Sequence, residues 1–173
     1  KEAEESGADF VYLVDSAGGM LPNDVKEYIQ QAKKECNCEI GFHGHNNLTL
    51  AIANSLAAIE AGATIIDTSL QGLGRDGGNA STEVLMSILM KKDMINIRNI
   101  NSLLDYSEVN IAPLLRNIGI KSIPLISGIG LFHSGFYKII KILSEENQVD
   151  EREVIIELSK INIIEPYHND IMQ

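Results

Sequence analysis

The sequence predicts an α/β fold, the C-terminal part of a (β/α)8 barrel of the TIM type followed by a small helical domain. Short apolar segments alternate with longer segments of helical periodicity. The phrase Glu-Ser-Gly-Ala-Asp at residues 5–9 also returns at residues 60–64 as Glu-Ala-Gly-Ala-Thr. The repeating unit of roughly 25–30 residues has the size of one strand plus one helix of such a barrel. We therefore expect barrel units over residues 1–98 and a helical domain over residues 99–173.

Three segments are predicted to be parallel strands because they are mostly apolar, as strands buried on both faces are. They span residues 10–14, 40–45 and 64–69. The helix predicted after the second strand ends at Gly62, a residue that tolerates the left-handed conformation at a helix end. Residues 1–6 resemble the last turn of a helix, so we expect this chain to be the C-terminal part of a longer protein.

After residue 92 the alternation of strands and helices stops, and the pattern becomes helical. Helices are predicted at 103–112, at 136–145 and from Asp150 to about residue 161, where Asp150 and Glu153 resemble a capping box. Residues 122–130, which contain glycine and proline, are predicted to form a loop or a short extended segment.

Composition and charge exclude some classes of protein. The 173 residues are 45% hydrophobic and 22% charged, which is ordinary for a globular protein, and their net charge is −10. This charge argues against nucleic acid or an anionic membrane as the main partner. Cys36 and Cys38 are too close in sequence for an unstrained disulfide, and free thiols favour a cytoplasmic location.

His43 and His45 at the end of the second predicted strand are candidate metal ligands. Residues i and i+2 of a strand point to the same face, so two imidazoles can approach one ion. Two imidazoles together with a carboxylate suit Mn²⁺, Mg²⁺, Co²⁺ or Zn²⁺. Asp15 is one candidate for that oxygen ligand, and an aspartate outside this chain is the other. The alternative is a pair of ordinary histidines, one of which caps the next helix.

Further polar residues follow the predicted strands, and each has two interpretations. Asn47 is either the N-cap of the next helix or part of a site. Asp67 either supports a neighbouring strand or belongs to the site. The loop at residues 72–78 is either a tight turn or a substrate cradle, and Arg75 either pairs with Asp76 or binds a substrate carboxylate.

Several stretches resemble the metal-dependent lyase family that includes hydroxymethylglutaryl-CoA lyase and isopropylmalate synthase. These are Val14-Asp-Ser-Ala-Gly-Gly-Met20, Gly41-Phe-His-Gly-His-Asn-Asn-Leu-Thr-Leu50, Ala53-Asn-Ser-Leu56 and Gly72-Leu-Gly-Arg-Asp-Gly-Gly-Asn79. Within that family, the 4-hydroxy-2-oxovalerate aldolases are the most similar. Val154-Ile-Ile-Glu-Leu158 and Asn169-Asp-Ile-Met172 resemble their helical C-terminal domain.

The resemblance implies a metal-dependent aldolase that cleaves a 4-hydroxy-2-oxoacid to pyruvate and an aldehyde. It implies that His43 and His45 bind a divalent metal, usually Mn²⁺, that His43 also contacts substrate, and that Ser16 lies near the pyruvate carboxylate. It places a third ligand, an aspartate, upstream of this chain. One departure is His133, which stands where the aldolases have an active-site tyrosine. This histidine is either an acid–base residue or a helix-start residue with no role in catalysis.

The resemblance further implies an oxoacid substrate, an oligomer, a role in aromatic hydrocarbon catabolism and an acylating acetaldehyde dehydrogenase as partner. Two other functions are open. One is a Claisen-type acyl-CoA condensing enzyme related to isopropylmalate or homocitrate synthase. The other is a non-catalytic barrel fragment that acts through a partner, because a few barrel units leave unpaired sheet edges.

Overall fold

The computed structural model of the protein describes residues 1–115 and 122–161. Its first part consists of strand–helix units. In chain order these elements are α1 (Glu2–Glu5), β1 (Phe10–Asp15), α2 (Pro22–Glu35), β2 (Glu39–Gly44), α3 (Ala51–Ala61), β3 (Ile65–Asp67) and α4 (Thr82–Lys91). The three predicted strands are therefore confirmed, with ends that differ by at most two residues.

Within the described residues the strands form one parallel sheet in the order β1-β2-β3, as consecutive strands of a (β/α)8 barrel do. The register pairs Val14 with His43 and His43 with Asp67, so all three strands end at the same edge of the sheet. The predicted α/β fold, a segment of a barrel, is thus confirmed.

The two faces of the sheet have different surroundings because side chains alternate along each strand. One face packs against the helices, and Ile40 and Phe42 of β2 are buried there with Val25 and Ile29 of α2. The other face would lie inside a closed barrel, and on it Phe10 is 52% exposed. Tyr12, Val14, His43 and Asp67 lie on that second face. His43 and Asp67 also lie at the C-terminal ends of their strands, the end of the sheet at which barrel enzymes bind substrate.

The second part is helical. Its α-helices are α5 (Ile100–Tyr106), α6 (Ser122–Gly130), α7 (Tyr137–Asn147) and α8 (Glu151–Lys160), and a π-helical turn, Ser107–Ile111, continues α5. Phe132, Ile140, Ile155 and Leu158 form a separate buried cluster. Asp150 caps α8 by accepting a hydrogen bond from the Arg152 amide at 2.8 Å.

The predicted loop at residues 122–130 is wrong, because this segment is helix α6. Pro124 lies in the first turn of the helix, where proline is tolerated. The glycines serve close packing instead of breaking the helix: a β-carbon on Gly128 would lie 2.8 Å from Leu48 Cγ, and one on Gly130 would lie 3.2 Å from Ser159 Cβ.

The division into domains at residues 98 and 99 stays a prediction. The stretch at residues 169–172 that resembles the aldolases lies outside the described residues. In the described parts of the chain, every helix is too short or too polar to span a membrane.

Candidate active site

His43 and His45 lie together at the end of β2, as their spacing predicts. Their ring centroids are 5.2 Å apart and the ring planes make an angle of 74°. His45 is 8% exposed, and its backbone amide donates to the Asp15 carbonyl oxygen at 3.2 Å. This hydrogen bond joins the end of β1 to the backbone of His45.

Asp67 of β3 contacts the first of these histidines. Its Oδ2 atom lies 3.4 Å from His43 Nδ1, and it also accepts a hydrogen bond from the Tyr12 hydroxyl. Burial, this hydrogen bond and the charge of Asp67 raise the pKa of Tyr12. Because Nδ1 of His43 faces a carboxylate, its Nε2 is left for another ligand. Tyr12 is a neighbour that the sequence analysis did not identify.

The carboxylate of Asp15, the oxygen ligand considered from the sequence, is engaged by the loop that follows β1. Its two carboxylate oxygens accept hydrogen bonds from the backbone amides of Gly19 at 3.1 Å and Met20 at 3.0 Å. Burial raises the pKa of Asp15, and these hydrogen bonds oppose that effect only in part. Among residues 1–115 and 122–161, no three His, Cys, Asp or Glu side chains converge as metal ligands. The two histidines therefore fit a metal site only as part of its ligand set.

The surroundings of His45 favour its neutral form. Burial lowers the pKa of His45, and the charges of His43 and Arg75 lower it further. Asp76 and Asp15 act in the opposite direction with smaller effect. A neutral imidazole is the form that binds metal ions.

Asn47 is not the N-cap of the following helix. Its buried side chain donates to the Ala17 carbonyl oxygen and accepts from the Gly77 amide, both at 2.9 Å. It thereby joins the loop after β1 to the loop after β3. The helix start is held instead by Asn46, whose side-chain oxygen accepts from the Ala51 amide at 3.1 Å.

The loop at residues 72–78 is fixed by several backbone hydrogen bonds. Gly78 donates to the Arg75 carbonyl oxygen at 2.7 Å, and its own carbonyl oxygen accepts from Asn46 at 2.8 Å. A β-carbon on Gly77 would lie 2.7 Å from the Asn46 carbonyl oxygen, so the two loops touch. Neither Arg75 nor Asp76 forms an ion pair within the described parts of the chain. The predicted surface pair between them is therefore absent.

Ser16 and His133 line the same cleft, which has a volume of about 960 Å³ and also includes Asp15. One wall is formed by the loop after β1 and by α2, and the other by the end of α6 and the residues that follow it. A β-carbon on Gly19 would collide with the Gly128 carbonyl oxygen, so the walls meet backbone to backbone. His43 and His45 are not among the residues that line this cleft.

His133 begins a short 3₁₀ turn, Ser134–Phe136, and its Nδ1 accepts from the Gly135 amide at 3.0 Å. It also makes an edge contact with the Phe136 ring, with 5.7 Å between centroids. Because Nδ1 is an acceptor, the neutral ring carries its proton on Nε2. His133 is thus a helix-start residue and, at the same time, a residue of the cleft.

Glu83, in the first turn of α4, organises a buried network that the sequence analysis did not identify. Its carboxylate accepts from the Gln71 amide at 2.9 Å, from Ser81 Oγ at 2.6 Å and from Ser107 Oγ. Burial raises its pKa, but the hydrogen bonds from Ser107 and Ser81 lower it, and the pKa is lowered on balance. The network attaches the π-helical turn to the loop after β3.

Comparisons with known proteins agree with this architecture. The HMGL-like family matches residues 1–115. A 4-hydroxy-2-oxovalerate aldolase from Geobacillus stearothermophilus is 41% identical over 165 residues, which are 95% of this chain and 48% of that protein. One from Geobacillus genomosp. 3 is 44% identical over 161 residues, with 92% and 48% covered. This chain therefore spans about half the length of the curated relatives it matches.

Solved structures show the same fold. The N-terminal domain of a candidate aldolase from Bacteroides vulgatus is 29% identical, with a TM-score of 0.71, and 82% of this chain and 47% of that chain are covered. The carboxyl transferase domain of Rhizobium etli pyruvate carboxylase with pyruvate and biocytin has a TM-score of 0.76 at 18% identity. This match covers 99% of this chain and 32% of that one. At that identity the second likeness concerns the fold alone.

Proposed function

This chain belongs to the HMGL-like family, and on that premise we propose that it forms part of a metal-dependent aldolase. The reaction is the cleavage of a 4-hydroxy-2-oxoacid, such as 4-hydroxy-2-oxovalerate, to pyruvate and an aldehyde. The observation that carries the proposal is the pair His43 and His45 at the end of a barrel strand, with rings 5.2 Å apart. Relatives named 4-hydroxy-2-oxovalerate aldolase at 40–44% identity support the choice of reaction.

We propose that His43 and His45 hold a divalent cation through their imidazole nitrogens, with Mn²⁺ as the first choice and Mg²⁺, Co²⁺ or Zn²⁺ as alternatives. Asp67 supports this role because it engages Nδ1 of His43 and leaves Nε2 for the ion. When bound, such a cation supplies Lewis-acid stabilisation of negative charge on an oxoacid.

The side chains of this chain then bind the substrate and move protons. The Ser16 hydroxyl donates a hydrogen bond to the carboxylate of the oxoacid. His43 contacts the same end of the substrate. A base removes the proton of the 4-hydroxyl group, the C3–C4 bond breaks and the aldehyde leaves. The electron pair of that bond remains on the pyruvate fragment as its enolate, and C3 takes up a proton.

We propose that His133 delivers this proton or relays it through water. His133 and Ser16 line the same cleft, and Nε2 of His133 carries the proton in the neutral ring. Proton transfer by a positioned histidine typically contributes 10²–10⁴-fold to a rate. His133 would then replace the tyrosine hydroxyl of the aldolases.

The test is pyruvate release from 4-hydroxy-2-oxovalerate by the full-length natural protein, with Mn²⁺ and with EDTA. We expect release with Mn²⁺, none with EDTA, and none with His43→Ala. Activity and metal affinity retained in His43→Ala would contradict the assignment of the site. Thiol release from acetyl-CoA in place of pyruvate formation would favour an acyl-CoA condensing enzyme.

Four further properties extend the proposal. They are a cytoplasmic location, an oligomeric state, a role in aromatic hydrocarbon catabolism and channelling of the aldehyde to an acylating acetaldehyde dehydrogenase. The cytoplasmic location rests on the free thiols of Cys36 and Cys38, the other three rest on the resemblance to the aldolases, and all four stay predictions.

A further inference from the structure

Arg75 carries a positive charge at the site that the proposed reaction does not use. It lies in the loop after β3, which is joined to the end of β2 by an isolated antiparallel bridge between His45 and Asn79 and by the hydrogen bond from the Asn46 amide to the Gly78 carbonyl oxygen at 2.8 Å. Across the site its Nη1 atom is 3.9 Å from the place that a β-carbon on Gly135 would occupy. Gly135 in turn donates its amide hydrogen to His133. Arg75 thus lies in a loop that is joined to the strand end of the histidine pair, and its side chain reaches the segment that presents His133.

The guanidinium group of Arg75 forms no hydrogen bond and no ion pair with another side chain in the described parts of the chain. Its neighbour Asp76 forms no ion pair with it, and the side chain is exposed. An arginine offers five N–H donors in a planar arrangement that matches a carboxylate. A donor set of this kind at the edge of a site is suited to an anionic group of a ligand.

The backbone holds Arg75 in place even though its side chain is exposed. Its carbonyl oxygen accepts from Gly78 at 2.7 Å, and the adjacent Gly77 amide is bound by the buried Asn47 side chain at 2.9 Å. The loop is therefore anchored to the same strand end that carries His43 and His45. A loop anchored in this way fixes the Arg75 backbone, so the conformational entropy lost on binding an anion is mainly that of the side chain.

Resting on the proposed aldolase function, we propose that Arg75 determines specificity by binding a second carboxylate, on the aldehyde portion of the substrate. The favoured substrate class is then a 4-hydroxy-2-oxo diacid, which cleaves to pyruvate and a 2-oxo acid such as glyoxylate. Ser16 and His43 are assigned to the 2-oxoacid end, which the monoacid and diacid substrates share. The second carboxylate of a diacid then needs another cation, and Arg75 supplies one near the segment that presents His133. The chain as a whole has a net charge of −10. An unpaired guanidinium at the site therefore provides a local positive charge that attracts a dianion.

The test compares 4-hydroxy-2-oxoglutarate with 4-hydroxy-2-oxovalerate in the full-length protein with Mn²⁺. Arg75→Met and Arg75→Lys are measured beside Arg98→Met, an exposed arginine away from the site that controls for loss of one charge. Charge-assisted hydrogen bonds predict that Arg75→Met lowers kcat/KM for the diacid about 10- to 100-fold more than for the monoacid. Arg75→Lys should fall between the wild type and Arg75→Met, because lysine keeps the charge but not the paired donors.

Binding of uncleavable analogues gives a readout that does not depend on turnover. The wild type should bind 2-oxoglutarate more tightly than 2-oxovalerate, and Arg75→Met should remove that preference. An unchanged preference, or an equal loss for diacid and monoacid, would overturn the role of Arg75 while the aldolase activity stands. Absence of pyruvate from both substrates would overturn the proposed function instead, and the analogue comparison would still decide whether Arg75 binds a second carboxylate.

Discussion

Oδ2 of Asp67 lies 3.4 Å from Nδ1 of His43, on the residue of β3 that pairs with His43 in the sheet. A carboxylate in this place orients an imidazole and fixes which nitrogen carries the proton. The parallel register therefore sets the orientation of the proposed metal ligand, since the pairing of β2 with β3 brings the two residues side by side.

Replacement of Asp67 by alanine should weaken metal binding by about 10- to 100-fold, because Nδ1 of His43 loses its carboxylate partner. Asp67→Asn should be milder, because the amide oxygen still accepts the hydrogen bond. Calorimetric titration of the metal-free full-length protein with Mn²⁺ measures the effect. Asp105→Asn, at an exposed aspartate outside the site, is the matched control. Equal affinities in all of these proteins would remove Asp67 from the site.

Replacement of His133 by asparagine should separate its two roles. Asparagine is a good N-cap and can accept from the Gly135 amide, so the thermal stability should be retained. The variant has no imidazole, so we expect kcat for pyruvate release to fall by about 10²-fold or more. An unchanged kcat in a folded variant would show that His133 only begins the 3₁₀ turn.

Replacement of Glu83 by glutamine should lower the free energy of unfolding by about 1–3 kcal/mol at neutral pH, because the buried network loses its charged acceptor. The pKa of Glu83 is lowered in the folded protein, so its stabilising effect is present above the ordinary value of 4.5. That effect disappears as the pH falls through the lowered pKa.

Urea unfolding of the wild type and of Glu83→Gln at several pH values measures this difference, with Glu146→Gln as an exposed control. The stability gap should be constant near neutrality and should narrow below about pH 4.5. A gap that widened with acid would mean that the hydrogen bonds do not favour the ionised form.

Replacement of Asn47 by alanine should destabilise the protein by about 1–3 kcal/mol, because the Ala17 carbonyl and the Gly77 amide lose a buried partner. Asn23→Ala, at an exposed position on α2, should change the stability little. Chemical unfolding of both variants provides the measurement. Equal stability of the two would mean that water replaces the Asn47 side chain in both hydrogen bonds.

The barrel units were predictable because local patterns decide them. The apolar strands, the phrase repeated before the first and third strands and Gly62 are each defined by a few neighbouring residues. Gly62 adopts the left-handed conformation with φ of 101°. The spacing of His43 and His45 likewise determines that their side chains share one face of β2.

The remaining features depend on contacts that are distant in sequence. The sequence predicts Gly128 in a loop because the neighbouring residues do not indicate that Leu48 packs against it. The sequence does not distinguish the adjacent Asn46 and Asn47 as residues that hold the start of the next helix. The loop after β3 makes the difference, because its Gly77 amide binds the Asn47 side chain. The absence of an Arg75–Asp76 pair also depends on the direction of a turn that composition does not specify.

The backbone contact of Gly19 with Gly128 couples ligand binding to tertiary structure. The two walls of the cleft are far apart in sequence. Bringing them together therefore has the entropic cost of closing a long loop, whereas packing a strand against the next helix closes only a short one. Local opening of α6 removes one wall and leaves the sheet intact. A ligand that binds only the closed cleft therefore holds the helical region against the sheet by mass action.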